Sequence, residues 1–186
     1  MNQIQAFILA GGNSSRMGSE KGMMLYRNRP LISYVVDAVL PFCRHITILT
    51  SHPAYEFLGL PMIPDQEKGL GPAGAIATLL ECSQAIHNLI VPCDMPFLQS
   101  GFFSDLYSEL GTHDIIVPLK NQRPECLPGI YSTAIVQPWK EYVKQGERKL
   151  SVFLSHFHTT FVHGEAMELK YPRLFTNMNT PNDLQI

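Results

Sequence analysis

The stretch Phe7–Gly22, FILAGGNSSRMGSEKG, places two glycines, Gly11 and Gly12, between an apolar run and a segment that carries Arg16 and Lys21. Glycine lets backbone come close to a ligand. Successive N–H groups of such a turn can face phosphate, and an Arg fork with a Lys point charge can neutralise it. For a bare glycine pair the alternative is a surface turn with solvated charges. Two carboxylates follow later apolar runs: Asp65 ends LPMIPD and Asp94 lies inside VPCDMPFL. Mg²⁺ takes oxygen ligands, commonly one or two carboxylates together with substrate phosphates, and the single carboxylate of Asp94 at a strand end fits that demand. The alternative at Asp94 is an Asx turn, and Asp65 by itself reads as a solvated loop carboxylate. Near the end of the chain Asn177 and Asn179 alternate, so an extended segment would point both to one face. A polar turn before a helix at Pro181, with Thr180 as N-cap, is the other reading.

These residues need elements to hold them. Gln5–Ala10 reads as a buried strand that ends at the glycines. Pro30–Leu40 reads as a helix with Leu31, Tyr34, Val35, Ala38 and Val39 on one face and Pro30 in its first turn. HITILT (45–50) is a β-branched strand, and LPMIPD (60–65) a shorter one interrupted by prolines. Helices are expected over 72–80, 102–110, 138–145 and 150–155. Strands are expected over 88–91, 113–118, 130–132 and in TTFVHG near residue 160. Strands alternating with helices predict an α/β fold, a mostly parallel sheet covered on both faces. In such sheets ligands bind beyond the carboxyl ends of the strands. The loops at 11–21, at Asp65 and at 92–96 all occupy that position.

Composition narrows the classes. The chain has 186 residues, 45% apolar content and a net charge of −2, which suits a single domain over 1–186. It carries no block of like charge of the kind that marks a nucleic-acid or acidic-membrane surface. Cys43, Cys82, Cys93 and Cys126 form no C-x-x-C pair and read as reduced thiols in a cytoplasm. No zinc-spaced Cys/His cluster, signal peptide or membrane span is present in the string. His156, His158 and His163 read as surface or packing residues.

Neither of two common phosphate motifs fits the first loop. G-x-G-x-x-G would need glycine at Asn13, and in a Walker A loop Gly18 would precede a lysine, where Ser19 stands. What fits is the longer string L-A-G-G-x-S-x-R-M-G-x-x-K, filled by Leu9, Ala10, Gly11, Gly12, Ser14 or Ser15, Arg16, Met17, Gly18 and Lys21. It resembles the signature loop of nucleotidyltransferases that join an NTP to a sugar phosphate or a related phosphate. GPAGAI (71–76), VPCDMPFL (91–98), QGERKLSVF (145–153) and NMNTPNDL (177–184) follow in order. Together they resemble the molybdenum cofactor guanylyltransferases, which attach GMP to the molybdopterin phosphate. The likeness spans nearly the whole chain, and LAGG rather than LAAG is similar to the guanylyl members.

This resemblance implies a three-layer α/β/α sandwich, Rossmann-like and GT-A-like, with GTP and molybdopterin as partners and Mg²⁺ as cofactor. Molybdoenzymes or other cofactor-biosynthesis proteins are candidate protein partners. It implies catalytic roles for Arg16, Lys21 and Asp94, with Asp94 also the metal ligand. Leu9, Ala10, Gly11, Gly12, Lys21, Asp65 and Asp94 would bind the nucleotide. Arg148, with Lys149 as the alternative, would meet the acceptor phosphate, and Asn177 and Asn179 would return to the cleft near Asp94. The chain departs from the family pattern at Pro64, where an acidic residue is usual. It departs again at Leu49-Thr50-Ser51, where some relatives place a base-contacting Asn, so no base contact is assigned there. The competing readings are a cytidylyltransferase, a sugar-phosphate nucleotidyltransferase and a nucleotide-binding module without catalysis.

Overall fold

The computed structural model describes residues 3–11, 20–66, 69–180 and 183. In chain order the strands and helices are β1 (Ile4–Leu9), β2 (Leu25–Tyr26), β3 (Arg29–Pro30), α1 (Leu31–Val39), β4 (Ile46–Leu49), β5 (Met62–Ile63), α2 (Gly71–Cys82) and β6 (His87–Pro92). Then come α3 (Ser100–Ser108), β7 (Ile115–Lys120), β8 (Arg123–Pro124), β9 (Gly129–Ser132), α4 (Val136–Lys144), α5 (Leu150–Phe153), β10 (Thr159–His163) and α6 (Gly164–Lys170).

The main sheet runs β10-β7-β9-β6-β1-β4-β5, with β8 attached to β7. Its pairs are parallel at β1–β4, β1–β6, β4–β5 and β7–β10. Strand β9 lies antiparallel between β6 and β7. The period-2 alternation of a strand sorts the core into two layers. Ala6 and Ile8 of β1, with Leu89 and Val91 of β6, face a cluster completed by Ile32, Val35 and Val39 of α1 and by Phe102, Phe103 and Leu106 of α3. Phe7 and Ile90 face the opposite cluster, built from Ala73–Leu80 of α2 with Trp139, Val143 and Phe153. Helices therefore cover both faces, and the three-layer expectation holds.

Chain order leaves β1 first toward β4 and β5, then returns to β1's other side as β6. The β1–β6 boundary is thus the topological switch point of the sheet, where such folds open a crevice. Register pairs Leu9 with Leu49 on one side and with Pro92 on the other, which brings the three strand exits level.

Local differences from the periodicity have identifiable causes. Pro30 is the N-cap of α1 rather than part of its first turn, because it pairs with Leu25 in a small hairpin. Arg27 and Asn28 take positive φ at the tip of this hairpin, as its tight turn requires. Tyr34 stays half-exposed and its hydroxyl donates to Tyr26 O at 2.9 Å, while Ile32 takes the buried position. Among the described residues, no helix is long and apolar enough to cross a membrane.

Candidate active site

Backbone pairing beyond the strand ends fixes where Asp94 stands. Cys93 N–H donates to Leu9 O at 3.1 Å, and Ala10 N–H to Leu49 O at 3.3 Å. The chain leaving β6 is thereby held against the chain leaving β1, and Asp94 is the next residue. It is 8% exposed.

Lys21 reaches this point from the other end of the opening loop. It begins a short 3-10 turn, Lys21–Met23, just before the hairpin. Its Nζ lies 3.4 Å from Asp94 Oδ2 and donates to Asn179 Oδ1 at 2.6 Å. Asn179 comes from the last described segment, which is tied to the same turn because Met178 N–H donates to Asp94 O at 2.8 Å. Met178 is fully buried between the exposed Asn177 and Asn179, which matches the expected alternation. Three places far apart in sequence thus meet at the exits of β1 and β6.

Asp183 holds the last of these. Its Oδ2 accepts from Asn179 N at 2.9 Å, Thr180 N at 2.7 Å and Thr180 Oγ1 at 3.0 Å. The Thr180 N–H, then that of Asn179, keep this carboxyl below its usual range. Asp183 was not among the residues singled out by sequence. The T-x-x-D spacing is its signal, an acidic side chain three residues on that reaches back to the residue heading the turn.

The charges are unevenly satisfied. Asp94 Oδ1 is buried and has no hydrogen-bond partner among the described residues. A buried lone oxygen facing no donor asks for a cation or another ligand. Among the described residues no group of three or more His, Cys, Asp or Glu could by itself hold a metal ion. The unpartnered Oδ1 fits Mg²⁺, which one carboxylate can share with substrate phosphates. The neighbouring Cys93 thiol is pushed up to about 12, chiefly by burial and next by the Asp94 charge. It is no nucleophile at neutral pH.

The remaining expected residues fall in several places. Leu9, Ala10 and Gly11 form the exit of β1 itself. Among the described residues, a Cβ on Gly11 would meet Leu49 O at 3.5 Å, an ordinary contact. Gly12, Ser14, Ser15, Arg16, Met17 and Gly18 lie outside the described residues. Asp65 follows β5 at the same end of the sheet, beyond β4 from β1. Arg148 sits past the carboxyl end of α4, where its Nη1 donates to Val143 O at 2.7 Å and Glu147 O at 2.6 Å. With Leu70, Ala77, Lys140, Val143 and Lys144 it lines a cleft of about 150 Å³ between α2 and α4. Its hydrogen bonds stay within its own turn and do not reach Lys21, Asp94 or Asn179. Lys149 is exposed at the start of α5.

Known proteins share this arrangement of chain. A family model described as the MobA-like NTP transferase domain matches residues 6–160. A probable molybdenum cofactor guanylyltransferase of Flavobacterium johnsoniae is 32% identical, covering 99% of this chain and 96% of its own. The molybdenum cofactor guanylyltransferase of Shewanella halifaxensis is 29% identical over 98% of this chain and 92% of its own. Among solved structures, molybdopterin-guanine dinucleotide biosynthesis protein A from Archaeoglobus fulgidus superposes with a TM-score of 0.79 at 26% identity, covering 97% of this chain and 95% of that one.

Proposed function

Because the chain belongs to the family of MobA-like NTP transferases, we propose that it transfers GMP from GTP to the phosphate of molybdopterin, releasing pyrophosphate and forming the guanine dinucleotide cofactor. The observation that carries this reading is the convergence of Lys21, Asp94 and Asn179 at the exits of β1 and β6.

In this reaction an oxygen of the acceptor phosphate forms a bond to the α-phosphorus of GTP. The bond from that phosphorus to the bridging oxygen breaks, and pyrophosphate leaves with the electron pair. The nucleophile is already an anion at neutral pH, so no general base has to be positioned. What remains is in-line placement and neutralisation of charge. The backbone at the exit of β1 offers close approach to phosphate, and Asp65, past β5 at the same end of the sheet, is assigned to the nucleotide. Lys21 stands where the departing pyrophosphate gathers charge, and fixed cations there act most strongly in the transition state. Arg16 is assigned to the same phosphates. Asn179 orients the Lys21 ammonium, and Asn177 shares its exposed face toward the acceptor. Arg148 is assigned to the acceptor phosphate, in a cleft it shares with Lys140 and Lys144. Asp94, through Oδ1, would hold Mg²⁺, which when bound draws charge from the donor phosphates. Four cysteines without disulfides support a cytoplasmic setting.

The test is to incubate the protein with Mg²⁺ and molybdopterin, adding GTP, CTP, ATP or UTP separately, and to measure pyrophosphate and the dinucleotide. Turnover with GTP alone is expected. Turnover with CTP would overturn the guanylyl assignment, and silence with all four, in folded protein with intact pterin, would overturn the reaction.

A further inference from the structure

A fully buried tyrosine meets the chain on both sides of Lys21. Tyr55 lies on a 3-10 segment, Pro53–Leu58, in the connection after β4, and its side chain is 0% exposed. Its hydroxyl donates to Glu20 Oε2 at 3.2 Å, and its ring packs against Gly22 on the other side of Lys21. Gly22 packs so closely that a Cβ there would lie 2.9 Å from the hydroxyl and 3.0 Å from Cε1 of the same ring. Tyr55 itself is held by the segment's cap, where the His52 ring accepts from Ala54 N–H at 3.1 Å and stands edge-on to the tyrosine at 6.3 Å.

We propose that Tyr55 is a positioning residue for Lys21, fixing the Glu20–Gly22 backbone so that the ammonium meets phosphate at Asp94. This rests on the phosphate-transfer reading above. Three physical points support it. A buried hydroxyl needs a partner, and Tyr55 finds it in Glu20 while its ring packs on Gly22, the two residues that flank Lys21. A lysine stem is flexible, so the place of its ammonium depends on how firmly its backbone is held. Displacements near 1 Å are enough to lose much of a catalytic arrangement. Finally, Glu20 adjoins Lys21 and would be the nearest competitor for its charge. Tyr55 engages that carboxylate, and Lys21 is left to Asp94 and Asn179.

The experiment is a double-mutant cycle of Tyr55→Phe and Lys21→Met, read by calorimetric binding of inorganic pyrophosphate in the presence of Mg²⁺. Pyrophosphate is common to every nucleotide donor, so the readout does not depend on base or acceptor. Tyr55→Phe is expected to weaken binding about tenfold with Lys21 present and less than twofold in the Lys21→Met background. Its melting temperature should move equally in both backgrounds. Glu20→Leu should copy Tyr55→Phe from the other end of the hydrogen bond, and Glu20→Gln, which still accepts, should keep most of the binding. Equal losses in both backgrounds, or none with Lys21 present, would overturn the positioning role and leave the reading of the reaction standing. Wild-type protein that binds no pyrophosphate would overturn both.

Discussion

Replacing Lys21 with methionine separates what this side chain does for the fold from what it does for phosphate. The stem is kept and the charge is removed. In the folded protein the ammonium is 3.4 Å from Asp94 Oδ2, and the side chains are 42% and 11% exposed. At an effective dielectric of about 20 the bare attraction is roughly 5 kcal/mol. Solvent around a half-exposed lysine reduces such a pair to about 1 kcal/mol net. One further cost arises because Asp94 Oδ1 has no partner among the described residues, so the variant leaves a buried carboxylate short at both oxygens. That places the loss at about 1–3 kcal/mol, a fall in Tm of roughly 2–12 °C for a domain of this size. The effect on turnover should be of another order. Removing one fixed donor to the charge that develops on a leaving group costs about 10²–10³ in kcat. Differential scanning calorimetry and a pyrophosphate-release assay on the same preparations check both numbers. Turnover within about threefold of wild type would refute the phosphate role. A loss of turnover that only follows the folded fraction would show Lys21 to be a counter-ion for Asp94 and nothing more.

Four further outcomes are expected. Gly22→Ala drives a Cβ to 2.9 Å from the Tyr55 hydroxyl and 3.3 Å from Cys93 Cβ. It should lower both Tm and turnover, and Gly22→Ala combined with Tyr55→Phe should recover part of each in the same assays. Asn179→Leu removes the acceptor 2.6 Å from Lys21 Nζ and should cut kcat about tenfold with little change in Tm, since Asn179 is exposed; an unchanged kcat refutes its orienting role. Native alkylation followed by intact mass should label Cys82 first. It is the exposed thiol, whereas Cys43 and Cys126 are raised mainly by burial, Cys126 to about 11, and Cys93 to about 12. Asp183 accepts as a carboxylate and its folded value is depressed, so its hold on the tail is complete above the ordinary carboxylate value near ~3.9 and is lost as pH falls through the lower folded value. The amide resonances of Asn179 and Thr180 should therefore shift with a midpoint below about 3.9, and a midpoint at or above that value contradicts the hydrogen bonds described.

Much of this protein is written locally in its sequence. The alternation Ala6-Phe7-Ile8 and Leu89-Ile90-Val91 specifies strands buried on both faces, because successive side chains must point to opposite sides. Apolar spacing specifies α1, and the loops that follow strands point to the Lys21 and Asp94 regions. The shape of the site is not local. Lys21 meets Asn179 across 158 positions, and Glu20 meets Tyr55 across 35; no short-range pattern encodes such a pair. They arise because parallel strands β1, β4 and β6 align their exits and the packed tail brings Met178 to Asp94. The same holds for the reversed strand β9, whose direction depends on its neighbours rather than on its own residues. Arg148 is assigned to phosphate by motif alone, and its contacts to Val143 O and Glu147 O past the end of α4 are set by how the chain turns there. Periodicity and capping act over a few residues and can be read from the string. The meeting of side chains from distant segments depends on how whole layers pack, and only the tertiary structure decides it.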